Sequence, residues 1–223
     1  MARTTSIIEQ GLLAALDLAA TKPWSELTLG EIAAKAGLTL NDFHGVATRE
    51  SLADAVDAHF DRAMSAEAIA TDDLPRERLF EVIMLRFEAM EDYRDGLKSL
   101  LRYRETQPSI LVRLPAARAA SARWALASAG LDDDSGAPLS LKVLAIAFVI
   151  ARTERAWRKE TSGDFALTMA ALDKSLRAAE ERMGWVSRFT GPPRNNKNQN
   201  KKAVHRKTVP QGSSIYGPSG TRR

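Results

Sequence analysis

Three threonines, Thr28, Thr39 and Thr48, punctuate the run LTLGEIAAKAGLTLNDFHGVATRESLADAVDAHF, residues 27–60. Each stands just before a stretch of helix-forming composition. A threonine hydroxyl at that place accepts from a first-turn amide that has no partner inside the helix. Glu31 follows Thr28 at the spacing of a capping box. A short helix then runs through Ile32, Ala33 and Ala36, and Gly37 permits a tight turn. Thr39 caps a second short helix near residues 40–46. Thr48 opens a longer one with Leu52, Ala55, Val56, His59, Phe60, Ala63 and Met64 on a single stripe. The chain is thus committed to three closely spaced helices before residue 66.

The helical period dominates the rest of the chain, and no segment alternates in strand fashion. Ile8, Leu12, Ala15, Leu16 and Ala19 form one face of a helix over residues 6–20, with Ser6 and Glu9 as a capping-box start. Pro23 ends that helix. Pro75 suits the first turn of the next one, which buries Leu79, Val82, Ile83, Phe87 and Met90. Another helix is expected over 93–105. Pro108 and Pro115 interrupt the next stretch, and a helix from 115 to 129 ends at Gly130. Residues 139–160 are apolar on nearly every side until Arg152, which predicts deep burial. Ser162 is expected to cap the last helix. There Phe165, Met169, Leu172, Leu176, Ala179 and Met183 recur at 4, 3, 4, 3, 4, the seam of two nearly parallel helices. The fold class is all-α.

Charge divides the chain. Residues 190–223 carry eight Lys and Arg and no acid, whereas residues 1–189 hold 24 basic against 28 acidic side chains. The tail, rich in Pro, Gly, Asn, Gln and Lys, cannot bury enough surface to offset its ordering entropy and is expected to stay disordered. Its cations could touch phosphates non-specifically or simply solubilise the chain. Without cysteine there is no disulfide and no thiolate metal site. MARTTSIIEQ lacks the apolar core of a secretory signal. The apolar stretch from Leu141 to Ala151 is shorter than the roughly 20 residues of a membrane span. A cytoplasmic protein is expected. The three histidines, His44, His59 and His205, have no metal-ligand spacing, and no nucleophile elbow, phosphate loop or dinucleotide fingerprint occurs. Neither a metal, a cofactor nor an enzymatic activity is expected.

Two short helices joined by a glycine turn cross steeply, so the N-terminal side chains of the second project together, as in a helix that enters a DNA major groove. Thr28, Ile32, Ala33, Ala36, Gly37, Phe43, Arg49, Glu50 and Leu52 stand in the order and spacing of TetR-type regulators, and the segment 6–66 resembles their DNA-binding module. The resemblance implies a helix-turn-helix domain over 1–66, a ligand-binding and dimerisation domain over 67–189, and double-stranded DNA as partner. It assigns DNA contact to Thr28, Thr39, Leu40, Asn41, His44 and Arg49. Asn41 could read adenine with two hydrogen bonds. Asp42 would be repelled by phosphate, and Asp42→Lys would then tighten binding to every sequence. Residues 1–70 hold five basic and ten acidic side chains, which opposes phosphate contact.

The C-terminal part resembles the ligand and dimer domain of the same regulators. Its two last helices would pair with their symmetry mates, and a charge at Leu176 would weaken the homodimer. Met84, Phe87, Met90, Leu97, Leu100, Trp124, Phe148 and Trp157 are the candidates to line a cavity for a small apolar ligand. A second resemblance starts at Ala156-Trp157, passes Ser162-Gly163-Asp164 and ends at Thr168-Met169-Ala170-Ala171-Leu172-Asp173. It is to ubiquinone-biosynthesis lipid-binding proteins, which share the fold and do not use DNA. It implies a lipid or isoprenoid carrier as the alternative.

Overall fold

The computed structural model describes residues 2–67 and 72–189, with side chains for 7–67 and 72–184. The expectation of a disordered basic tail over 190–223 lies outside the described residues. The described helices are α1 (Ala2–Ala19), α2 (Leu29–Lys35), α3 (Leu40–Phe43), α4 (Arg49–Asp61), α5 (Pro75–Glu91), α6 (Arg94–Thr106), α7 (Pro108–Ser128), α8 (Leu139–Trp157) and α9 (Ala166–Phe189). Short 3₁₀ turns occupy Trp24–Glu26 and Arg62–Ser65. The described residues contain no strand, as the all-α reading requires. Among them, no helix is long and apolar enough to cross a membrane.

All three threonines form complete capping boxes. Thr28 Oγ1 accepts from the Glu31 amide, Thr39 from the Asp42 amide and Thr48 from the Ser51 amide, and each partner side chain accepts in return from the threonine amide. Two boundaries differ from the sequence reading. Helix α1 begins at Ala2, not at Ser6. Glu9 is not its cap, because its carboxylate meets His59 of α4 at 3.1 Å and Arg62, just past the end of α4, at 2.8 Å. Helix α3 stops at Phe43 rather than near 46: Gly45 takes φ +70°, a left-handed conformation that terminates helices.

Helix α1 holds the helix-turn-helix to the rest of the molecule. Leu12, Leu16, Ile32, Phe43, Leu52 and Val56 form one buried cluster under it. Its other side lies on α6, so closely that a Cβ at Gly96 would stand 2.0 Å from the Leu16 carbonyl oxygen. Trp24, buried in the link to α2, donates its backbone amide to Ser99 Oγ of α6 at 2.9 Å. The core is therefore continuous across residue 66.

Charge is buried where α4, α5, α6 and α7 meet. Arg86 Nη2 donates to Asp57 Oδ1 at 2.9 Å, and Arg104 Nη2 donates to Asp57 Oδ2 at 2.7 Å. Ser121 Oγ donates to Asp61 Oδ2 at 2.6 Å. Arg86 Nε stands 2.8 Å from Asp61 Oδ1 but is not aligned to donate to it. Burial pushes both carboxyls up. At Asp57 the two arginines together outweigh burial and the pKa falls below its ordinary value. At Asp61 burial prevails over Arg86 and Ser121, and the pKa stays above it.

Further corrections concern α7 to α9. Pro115 does not interrupt α7, which runs through it. The proline is exposed, so the carbonyl it leaves without an amide partner can be satisfied by water. Helix α8 is not buried on every side: Leu144 is 69% and Phe148 51% exposed, one turn apart on one stripe. Ser162 does not cap α9. Its hydroxyl donates to Glu160 at 2.6 Å, while the first amides of α9 go to Asp164 and Glu160. The seam residues Leu172, Leu176 and Ala179 are buried within the single chain.

Candidate nucleic-acid interface

The turn between α2 and α3 is fixed from both ends. Ala36 closes α2, Gly37 takes φ +67°, and the Leu38 amide donates back to the Ala33 carbonyl at 2.9 Å. The Thr39 capping box then starts α3 at once. Phe43 is buried, which turns the opposite side of this single-turn helix outward. Leu40 is 57% exposed, and Thr39, Asn41 and His44 are exposed beside it. These four share the free tip of the module, and His44 is the C-cap residue rather than part of the helix.

Thr28 and Arg49 occupy different roles. Thr28 stands at the start of α2, where Glu31 accepts from both its amide and its hydroxyl at 2.8 Å. Half-buried Arg49 donates through Nη1 to the carbonyls of Ser25 and Leu27, at 2.9 and 2.8 Å, and so braces the approach to α2 from the start of α4. Asp42 is the partner in the α3 capping box, its Oδ2 accepting from the Thr39 amide at 2.9 Å and hydroxyl at 2.6 Å. A lysine there would lose the two bonds that the carboxylate accepts from Thr39, a cost to α3 that the expectation for Asp42→Lys leaves out.

The electrostatics of the module differ from a simple count. Lys22 pairs with Glu31 at 2.7 Å, Lys35 lies 3.6 Å from Asp17, and Arg62 pairs with Glu9. Lys22 is the main cause that holds the Glu31 carboxyl at about 2, with Thr28 next. Three of the ten acids are matched by cations beyond residue 70: Asp57 by Arg86 and Arg104, Asp61 by Arg86, and Asp54 by Arg113 at 2.9 Å. The acidic excess of residues 1–70 is thus partly neutralised from α5, α6 and α7.

The eight ligand candidates do not share one place. Met84, Phe87, Met90, Leu97, Leu100 and Trp157 are buried. The Phe87 and Trp157 rings lie 6.4 Å apart, Arg94 covers Trp157 at 4.9 Å, and Trp157 Nε1 donates to Glu91 at 3.2 Å. Trp124 is 46% exposed. Two apolar grooves flank α9. One, of about 420 Å³, lies between α8 and α9 and is lined by Leu144, Phe148, Lys174, Ala178 and Arg182. The other, of about 330 Å³, is lined by Leu79, Leu126, Ile146, Leu176 and Met183. Phe148 alone of the eight lines either groove.

Sequence reasoning did not single out the Asp57, Asp61, Arg86 and Arg104 cluster. Its trace was there: Arg104 continues the buried stripe Leu97, Leu100, Leu101, and Arg86 sits between Ile83 and Met90 on that of α5. A charged residue on a core stripe calls for a buried partner. Among the described residues, no three His, Asp or Glu side chains gather to hold a metal.

Neither a family model nor a curated protein matches the chain. Among solved structures, it is similar to a TetR transcriptional regulator from Nitrosomonas europaea, with a TM-score of 0.65 at 20% identity. The alignment covers 79% of this chain and 99% of that one. With the helix-turn-helix at the head of an all-helical body, that likeness shows that the chain has the TetR-type fold.

Proposed function

We propose that the protein is a dimeric, TetR-like transcriptional regulator that reads double-stranded DNA through α3. The observation that carries this reading is the outward tip of α3, where Leu40 and Asn41 stand exposed on a helix held by a capping box and anchored through buried Phe43, with His44 exposed at its C-cap. Asn41 suits adenine and Leu40 the methyl group of thymine, while Thr39 and Thr28 give their protons to Asp42 and Glu31 and serve to start α3 and α2. Arg49 acts by bracing α2. The exposed Leu144 and Phe148 beside the groove along α9 support dimerisation of α8 and α9 with a second copy, which presents two reading heads. A small ligand that prefers one arrangement of those heads would change DNA affinity.

The groove of about 330 Å³ with Leu79, Leu126, Ile146 and Leu176 in its wall favours a second reading, a lipid or isoprenoid carrier. Replacing Asn41 and His44 together with alanine separates the two. A good base contact is worth about 1–3 kcal/mol, so the double variant of a regulator loses at least about tenfold in affinity for its own upstream duplex. Copurified isoprenoid or fatty lipid, with no duplex binding even at low salt, would replace the regulator by the carrier.

A further inference from the structure

The cleft where α4, α6 and the start of α7 meet has a feature that the packing of the protein alone does not explain. Its volume is about 290 Å³, and Arg104, Arg113 and Asp54 share its wall with Ile110, Leu114 and Ala117. Arg104 is 4% exposed, and its Nη2 donates to Asp57 Oδ2. Its Nε is buried and has no acceptor. A buried donor without a partner is costly, and a guanidinium edge fits a carboxylate through two parallel hydrogen bonds. Arg113, at the rim, has an exposed pairing with Asp54, of the kind worth at most about 1 kcal/mol. A competing anion could take Arg113 from it at little cost.

We propose that this cleft binds a small organic monocarboxylate, its charge between Arg104 and Arg113 and its apolar body against Ile110, Leu114 and Ala117. The apolar wall selects against inorganic phosphate, which would leave those side chains wet. Both carboxylates that now face the arginines, Asp54 and Asp57, belong to α4, the helix that begins shortly after α3 ends. An anion that takes Arg113 from Asp54 removes a tie between α4 and α7, and so loosens α4 and through it the reading head. That coupling rests on the regulator reading; the binding itself does not.

The test uses the full chain and four probes, butyrate, hexanoate, benzoate and phenylacetate, each against its neutral amide, followed by ligand-observed NMR and titration calorimetry. Carboxylates should bind at millimolar concentration or tighter and the amides should not. Arg113→Ala should weaken binding about tenfold, the worth of one charge-assisted contact. Asp54→Asn should tighten it, because the competitor loses its charge; a merely structural Asp54 would leave it unchanged. Ala116→Trp, at an exposed position on the cleft wall, should abolish binding and leave the helix content intact. The proposal is overturned if no carboxylate binds, if the amides bind equally, or if affinity ignores both Arg113→Ala and Asp54→Asn. Duplex affinity is measured in parallel. Carboxylate binding without duplex binding would overturn the regulator reading alone, and duplex binding without carboxylate binding would overturn this site alone.

Discussion

Replacing Gly96 by alanine should separate the helix-turn-helix from the body it leans on. The added Cβ would lie 2.0 Å from the Leu16 oxygen, 2.8 Å from its carbonyl carbon and 3.1 Å from its Cα, all backbone atoms that no rotamer change can remove. A carbon approaches a carbonyl oxygen to about 3.3 Å, so α1 and α6 would have to part by about 1 Å. Overpacking of this kind costs about 1–3 kcal/mol. For a chain of this size each kcal/mol moves the melting temperature by about 2–4 °C, so a fall of about 2–12 °C is expected. Gly30 on α2 is the control, because a Cβ there meets nothing within 4 Å. Alanine at Gly30 should gain about 0.5–1 kcal/mol from the lower backbone entropy of the unfolded chain. The same helix propensity favours alanine at 96, so opposite signs in the two variants would isolate the contact. Differential scanning calorimetry of both variants decides. A Gly96→Ala protein as stable as wild type would refute the close approach of α1 and α6.

Asp57→Ala should destabilise the protein by about 3–5 kcal/mol in urea unfolding, because it leaves Arg86 and Arg104 buried without their shared carboxylate; a loss under about 1 kcal/mol would contradict the cluster. Phe148→Glu should abolish the proposed dimer in sedimentation with little change in melting temperature, whereas Leu176→Glu should unfold the chain, since Leu176 is 3% exposed within the single chain. Hydrogen bonds from Ser162 above all, then from Thr168, hold the Glu160 carboxyl at about 2 against an ordinary 4.5. A depressed carboxyl stabilises fully above its ordinary value and loses that contribution as pH falls toward the folded one. Glu160→Gln should therefore flatten the loss of stability between pH 4.5 and 2, as read by circular dichroism.

The features legible in the sequence are those set within a few residues. Thr28, Thr39 and Thr48 announce their helices because a cap and its helix are adjacent in the chain, and Pro75 starts α5 for the same reason. The same logic misleads at Ser6 and Glu9, which have capping-box spacing. Glu9 instead meets Arg62 and His59, more than 45 residues away, and no local pattern carries that contact. The stripe on α9 is real, but spacing alone does not say whether Leu176 faces its own protomer or a second copy. Leu144 and Phe148 look like core in a run of apolar residues because composition does not record which side of α8 lacks a partner. The site was legible in part. Asn41 and His44 are exposed at the tip as an interface requires, but Asp42 and Arg49 look like phosphate-facing charges in the sequence and spend their polar atoms on the backbone around α2 and α3.

Fluorescence anisotropy of the wild-type protein with a labelled duplex from upstream of its own reading frame, beside a scrambled duplex of equal length, tests the central claim most directly. The account predicts saturation at two protomers per duplex and an affinity for the upstream sequence at least about 10³-fold above that for the scrambled one, the lower end for specific readers of DNA. Equal affinity for both duplexes, or no binding at low salt, would contradict it.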